Sequence, residues 1–469
     1  MNLLFAASES QPFFKTGGLA DVVGALPHAL KETSDDHIQV ILPYYNQFMK
    51  DHFADRLELV KTDIMIHLGW RRQRADLLKL KEKGITYYFI KNNYYFDRAN
   101  IYSYYDDGER FVFFSKAVIA ALPHLEEDPD IIHCHDWQTG LVPAFLKAYG
   151  LHYKTVFTIH NLQYQGILQN SAFDDLINLG GEHYFGMEWN GLINCLKAAV
   201  HHSDLITTVS PTYAEEIKSP FFGEGMHSLL NDKSDILRGV LNGIDTASYD
   251  PANDSYIPHP YHHSPEKKRS NKESLQAELG LPVNGDIPLI AMVTRLADQK
   301  GLPLVADVFP ELMERPVQFV LLGTGDPGLE QYFRDISSHY PEQASIRTYF
   351  DEGLARRMYA GADFLLIPSR FEPCGLSQLI ALRYETASIV RETGGLKDTI
   401  HPFNPETGTG NGFTFHQSDA YEMLGCIDHA LTVYADESQW SALLENIYKA
   451  EVDWKTSARV YQDLYQQLS

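Results

Sequence analysis

Short apolar runs bounded by turn residues recur through the first half of the chain, at Leu3 to Ala7, Ile38 to Leu42, Ile85 to Ile90, Ile131 to Cys134, Thr155 to Ile159 and Leu205 to Val209. Between several of them lie stretches with apolar residues at helical spacing, among them Ala20 to Lys31, Arg110 to Leu122 and Leu192 to His202. Buried strands alternating with amphipathic helices are the signature of a parallel sheet covered on both faces, so the class predicted is α/β. The alternation breaks over Thr246 to Asn271, rich in Pro, His, Asp and Ser, where Lys267, Lys268 and Arg269 read as solvated linker surface. It restarts with Leu289 to Val293, Val317 to Leu322, Ile346 to Tyr349, Phe364 to Ile367 and Ser388 to Val390. Two Rossmann-like, doubly wound domains are therefore expected, 1–245 and 246–452, with a C-terminal helix in 453–469 that packs back on them. Such sheets hold ligands beyond the carboxyl ends of their strands, which predicts a site in a cleft between facing domains.

Composition narrows the partners. The 469 residues are 44% hydrophobic and 12% aromatic, enough to fill two cores. A formal charge of −23 opposes nucleic acid and anionic membranes, both of which require a broad basic surface. Any anion must enter a locally basic pocket. Cys134, Cys195, Cys374 and Cys426 show neither CxxC nor Cys/His metal spacing and suit a reducing compartment. No run approaches the ~20 apolar residues of a membrane span, and MNLLFAASESQ lacks the charge and length of a signal peptide, so a cytoplasmic protein is expected.

Candidate chemistry sits where the apolar runs end. Thr16 to Asp21 reads TGGLAD and Thr393 to Asp398 reads TGGLKD, each ahead of a helix-like stretch. Paired glycines let backbone N–H groups close on an anion at a helix start, so Gly17, Gly18, Thr393, Gly394 and Gly395 predict two anion half-sites. His133, His135, Asp136 and Trp137 close one run, and His160 with Asn161 closes another. Strand alternation places His133 and His135 on one face, a metal-like pair, but an active-site lip in which Asp136 and His160 meet hydroxyl groups is favoured over a metal. Arg295 and Lys300 follow the strand ending at Val293. A helix N-terminus offers an anion only about 0.3–2 kcal/mol, whereas each charge-assisted hydrogen bond offers about 1.5–3 kcal/mol. The two cations should therefore dominate diphosphate binding and replace a metal ion. Glu372, in PSRFEPCGLSQL, stands beside Gly375 and Leu376 at a helix start, where a carboxylate suits a sugar. One competing motif is GTGDPG, Gly323 to Gly328, which matches a dinucleotide fingerprint and points to an NAD-dependent oxidoreductase, although it does not lie in the first βα turn of its unit.

Taken together, KTGGLADV, HCHDWQTGL, FTIHNLQYQG, LNGID, TRLADQKG, PSRFEPCGLSQL and RETGGLKDT resemble, in order and over nearly the whole chain, the bacterial glycogen synthase and starch synthase family. The resemblance implies a two-domain GT-B glycosyltransferase that retains anomeric configuration. It would add glucose from a nucleotide sugar to the non-reducing end of an α-1,4-glucan; no cofactor or metal is expected, since Arg295 and Lys300 can carry the phosphate charge. It further implies that Lys15 touches the donor, Arg295 and Lys300 bind its phosphates, Asp136 and His160 hold the glucose, Glu372, Gly375 and Leu376 line the donor pocket, and Thr393 to Gly395 contact phosphate. Asp21 and Tyr95 are candidates for the acceptor side, Tyr95 within the aromatic-rich segment Tyr87 to Phe114. ADP-glucose is the donor this form of the first box favours, with UDP-glucose the alternative; a catalytically silent sensor on the same fold is a third reading. Glu385 and Met226 stand where the family usually has glycine and leucine. Glu385 is expected at a helix end on the nucleotide side, where it would bear on packing or base recognition.

Overall fold

The computed structural model describes all 469 residues and divides into two compact units, 1–242 with 454–469, and 243–453. The division falls inside LNGID rather than after Asp245.

The first unit carries a nine-stranded sheet built from β1 (Asn2–Ala6), β2 (His37–Pro43), β3 (Glu58–Leu68), β4 (Arg71–Glu82), β5 (Ile85–Lys91), β6 (Ile131–His135), β7 (Lys154–Ile159), β11 (Leu205–Thr208) and β12 (Leu237–Gly239), in the order β12-β11-β7-β6-β1-β2-β5-β4-β3. All neighbours are parallel except β4, which runs antiparallel to β3 and β5. The three short strands β8 (Ile167–Leu168), β9 (Glu188–Trp189) and β10 (Leu192–Asn194) form a separate antiparallel sheet. Leu192 to His202, read as one helix, is thus a strand followed by the helix Cys195–His202, because Asn194 caps that helix through the Lys197 N–H. The central strands are buried on both faces, β6 at every position, as expected where helices cover a parallel sheet.

The helix Trp454–Leu468 belongs to this first unit and packs along the helix Gly18–Thr33. Tyr461 and Tyr465 are fully buried, and the Tyr465 hydroxyl meets His133 Nδ1 at 2.7 Å.

The second unit has six parallel strands, β13 (Leu289–Val293), β14 (Gln318–Leu322), β15 (Ala344–Arg347), β16 (Phe364–Ile367), β17 (Ala387–Arg391) and β18 (Gly412–Phe415), ordered β15-β14-β13-β16-β17-β18. Strand order reverses between β13 and β16, the switch point at which open α/β sheets bind ligands. The basic cluster expected on linker surface lies on the helix Pro265–Leu279, and Lys268 is buried there. Its ammonium donates to the Tyr359, Ala360 and Tyr384 carbonyls and to the Thr386 hydroxyl, and burial lowers its pKa to about 8. Four acceptors stabilise the charge that the core would otherwise exclude.

Removing the Tyr465 ring leaves a cavity and takes a partner from His133. Tyr465→Ala should cost about 3–5 kcal/mol, read as a lowered midpoint in thermal unfolding; an unchanged midpoint would show that the C-terminal helix is dispensable to the first unit.

Candidate active site

In the second unit the loops leaving β13 and β16 are stitched together. Arg370 N–H donates to the Gln299 carbonyl, the Gln299 amide donates to the Phe371 carbonyl, and Arg391 reaches from β17 to the carbonyls of Ser369, Arg370 and His416. This scaffold presents Lys300 and Glu372 to each other, Nζ to Oε2 at 2.6 Å, with the Ser369 hydroxyl donating to the same oxygen. Both side chains line a cavity of about 70 Å3 together with Thr294, Gly375, Leu376 and Ser377. Arg295, next to Thr294, is exposed and pairs with no carboxylate. Gly375 and Leu376 immediately precede the helix Ser377–Arg383, whose first residues, Ser377 and Gln378, also line this cavity.

The two TGGL boxes, alike in sequence, are built differently. In the second, a Cβ on Gly394 would lie 1.9 Å from the Glu372 carbonyl and one on Gly395 2.0 Å from the Cys374 carbonyl, and Gly395 N–H bonds the Glu372 and Pro373 carbonyls. These glycines let the β17 loop pack directly on the Glu372 loop. In the first, a Cβ on Gly17 or Gly18 would meet nothing within 4 Å, so the absent side chains leave open space at the start of the helix Gly18–Thr33. Its anion is partly internal: the Glu9 carboxylate accepts from the Thr16 N–H and hydroxyl, from the Tyr102 hydroxyl and from the Gly17 N–H. Lys15 pairs with Asp21 at 2.7 Å.

Asp136 and His160 end adjacent strands, β6 and β7. Asp136 Oδ1 accepts from the His160 N–H at 2.8 Å and from the Asn161 N–H. Its φ of 55° is in the left-handed region, a strained conformation for a residue with a Cβ, held by its own N–H on the Thr158 carbonyl. Burial lifts its carboxyl from 3.8 to about 7, with Glu9 adding to the rise. His160 Nε2 meets His135 Nδ1 at 2.9 Å, and burial lowers the imidazolium pKa of His160 to about 3.

Comparison with known proteins decides the family. Residues 2–232 match the starch synthase catalytic domain and 287–432 match glycosyl transferases group 1. The glycogen synthases of Oceanobacillus iheyensis and Halalkalibacterium halodurans are each 50% identical to this chain across all of it and 98% of their own length. The chain belongs to the glycogen and starch synthase family. A solved relative, the catalytic domain of starch synthase IV from Arabidopsis thaliana bound to ADP and acarbose, superposes with a TM-score of 0.89 at 33% identity, covering 99% of this chain and 98% of that one. Sucrose-phosphate synthase from Thermosynechococcus elongatus, TM-score 0.60 at 16% identity over 100% and 98% of the two chains, shares the fold. The chain is a glycosyltransferase of the GT-B class.

Within this synthase framework two expectations change, those for Tyr95 and Glu385. Tyr95 does not offer its ring to a ligand: it is 0% exposed, packed on Phe113 at 4.7 Å, and its hydroxyl donates to Glu109. The exposed rings of that segment are Tyr94 and Tyr105. Glu385 lies at a helix end as expected, but at the far end of the seven-residue helix Ser377–Arg383, about 10 Å along its axis from the Glu372 loop. It is buried with φ 59°, and its carboxylate accepts from the His263 N–H at 2.8 Å. The GTGDPG glycines serve packing: a Cβ on Gly323 would lie 1.7 Å from the Thr294 carbonyl, and the Gly325 and Gly328 N–H groups are taken by Glu330 and Asp326. No N–H pair there is left for a pyrophosphate. Glu9 belongs to the first box as well, yet a lone Glu in SESQP carries no motif that would mark it. Its signal is tertiary, two backbone N–H groups converging on one carboxylate.

Gly394 combines φ 45° with a backbone oxygen where a Cβ would go. Gly394→Ala should lose at least about 1–2 kcal/mol from the left-handed conformation alone and weaken donor binding along with thermal stability. Wild-type values for both would mean the loop contact is not required.

Proposed function

We propose that this chain transfers glucose from ADP-glucose to the non-reducing end of an α-1,4-glucan, with retention of configuration and release of ADP, in the cytoplasm. What carries the reading is the Lys300–Glu372 pair at the switch point of the second sheet, beside an Arg295 without a carboxylate partner. The glycogen synthase names of its relatives and the ADP in the starch synthase IV structure support it.

In the ligand-free protein Lys300 and Glu372 neutralise each other. A donor diphosphate outbids Glu372 for Lys300, because it brings more charge and more acceptor oxygens, and Arg295 takes a second share. Glu372 is thereby released to the sugar, where its charge opposes the positive character growing at C1 as the C1–O bond to the diphosphate lengthens. Lys15, Gly17 and Gly18 add donor contacts at the open helix start, and Gly375, Leu376 and Thr393 to Gly395 frame the phosphates. The acceptor 4-hydroxyl attacks C1 from the face the diphosphate leaves, and its proton passes to the departing phosphate oxygen. Asp136 and His160 hold the glucosyl ring, Asp136 adding negative charge when ionised. Asp21 is assigned to the acceptor side. No step calls for a cofactor or a metal, since Arg295 and Lys300 carry the leaving-group charge.

Three tests follow from these roles. Purified protein incubated with glycogen and labelled ADP-glucose or UDP-glucose should place label in the polymer preferentially from the ADP donor, and Arg295→Ala or Lys300→Ala should lower turnover at least about tenfold with the fold retained. Near-normal rates in a folded variant would remove the leaving-group role. Below about pH 7 Asp136 carries a proton and is neutral, so kcat/KM should rise through that pH and then level; Asp136→Asn should flatten that limb, and a persisting limb would assign it to another group. Since Glu385 faces His263, Glu385→Gly should change the ADP-to-UDP preference by less than about twofold, and a larger change would return it to base recognition.

A further inference from the structure

Three imidazoles stack inside the first unit where β6 and β7 end. His133 and His135 lie face to face at 4.2 Å, Phe5 stacks on His135 at 5.7 Å, and His160 tilts against His135 at 5.2 Å. His133 is fully committed: Nδ1 meets the Tyr465 hydroxyl, and Nε2 meets the Thr158 hydroxyl at 2.6 Å, which continues to Thr207 at 2.5 Å. His135 differs. Its Nδ1 meets His160 Nε2 at 2.9 Å, while its Nε2 is buried with neither donor nor acceptor. Burial holds both rings in their neutral forms, so a single proton occupies the line between them.

The direction of that proton follows from the solitary nitrogen. If His160 Nε2–H donated to His135 Nδ1, the proton of His135 would have to sit on Nε2, leaving a buried N–H without an acceptor, among the rarest defects in folded proteins. If His135 Nδ1–H donates to His160 Nε2, the solitary atom is only a lone pair among aromatic faces. The second arrangement places the His160 proton on Nδ1, the ring nitrogen with no protein partner, on a residue whose backbone N–H binds the Asp136 carboxylate.

We propose that His135 is a positioning residue that fixes the tautomer of His160, so that His160 Nδ1–H stands as a hydrogen-bond donor to a hydroxyl oxygen of the transferred sugar, beside Asp136 as acceptor. This rests on the assignment of His160 to the glucosyl ring under the proposed function. His135 itself touches no substrate. Its buried imidazole is the one side chain that bonds His160 Nε2, and it supplies a donor whose orientation is locked by stacking on Phe5 and His133.

The test begins with ligand-free protein carrying 15N-histidine, with His160 identified by the loss of its signals in His160→Gln. His160 should show a protonated Nδ1 and a bare Nε2, unchanged between about pH 6 and pH 8; the opposite tautomer overturns the proposal whatever the kinetics. His135→Phe keeps a flat ring but no donor. It should mix the His160 tautomers and lower kcat between about ten- and a hundredfold while the thermal midpoint and the KM for glucan stay near wild type. His135→Gln, whose amide can donate to Nε2, should recover most of that loss. In a His160→Ala background His135→Phe should have no further effect, and an additive loss would count against action through His160. If His135→Phe fails to fold, the spectrum of the unmodified chain still decides. Full turnover in His160→Ala would sink the glucosyl assignment and leave the tautomer result standing, so the two failures are distinguishable.

Discussion

An ammonium and a carboxylate at the carboxyl ends of neighbouring strands, Lys300 and Glu372, form the interaction around which the second unit is organised. Placing either alone in a half-buried cavity is costly; placed together, each satisfies the other. The surrounding architecture holds the pair in place. Loops from β13, β16 and β17 are tied backbone to backbone, and Arg391 uses its guanidinium to hold three carbonyls in place. Under the proposed mechanism, little of this loop framework has to move when the ion pair opens.

The first unit meets the same problem by the opposite means. Its strand-end histidines are kept neutral by burial, and Asp136 is brought to the point where a modest change in surroundings decides its charge. The left-handed backbone at Asp136 is tolerated because its carboxylate and its own N–H are both engaged with the neighbouring strand. Permanent charge therefore concentrates where diphosphate is proposed to bind, and switchable or absent charge where the sugar is proposed to lie.

Much of this was legible in the order of residues. Parallel strands buried on both faces read as unbroken apolar runs, so the β-α alternation of both units was visible. The hairpin of β3 and β4 was not, because β3 is exposed at most of its first six positions and shows apolar alternation only from Ile64 onward. Lys300, Glu372, Asp136 and His160 stand out as candidates because chemistry at strand ends leaves local spacing. The different uses of the two TGGL boxes were hidden, since what fills the place of a missing Cβ is set by residues hundreds of positions away or by nothing at all. Tyr95 and Lys268 misled for a related reason: an aromatic cluster and a basic run look solvent-facing until a distant carboxylate or a ring of carbonyls claims them.

The segment that completes the first unit leaves the ribosome after all of residues 243–453. Until Trp454–Leu468 emerges, the nascent first unit has an unfilled slot where Tyr461 and Tyr465 belong, and His133 lacks its phenolic neighbour. The second unit has every strand of its own sheet within 243–453 and can close before then. Order of synthesis thus runs against order of completion: the domain made first is the one sealed last, and the histidine stack settles only once translation has passed the whole second unit.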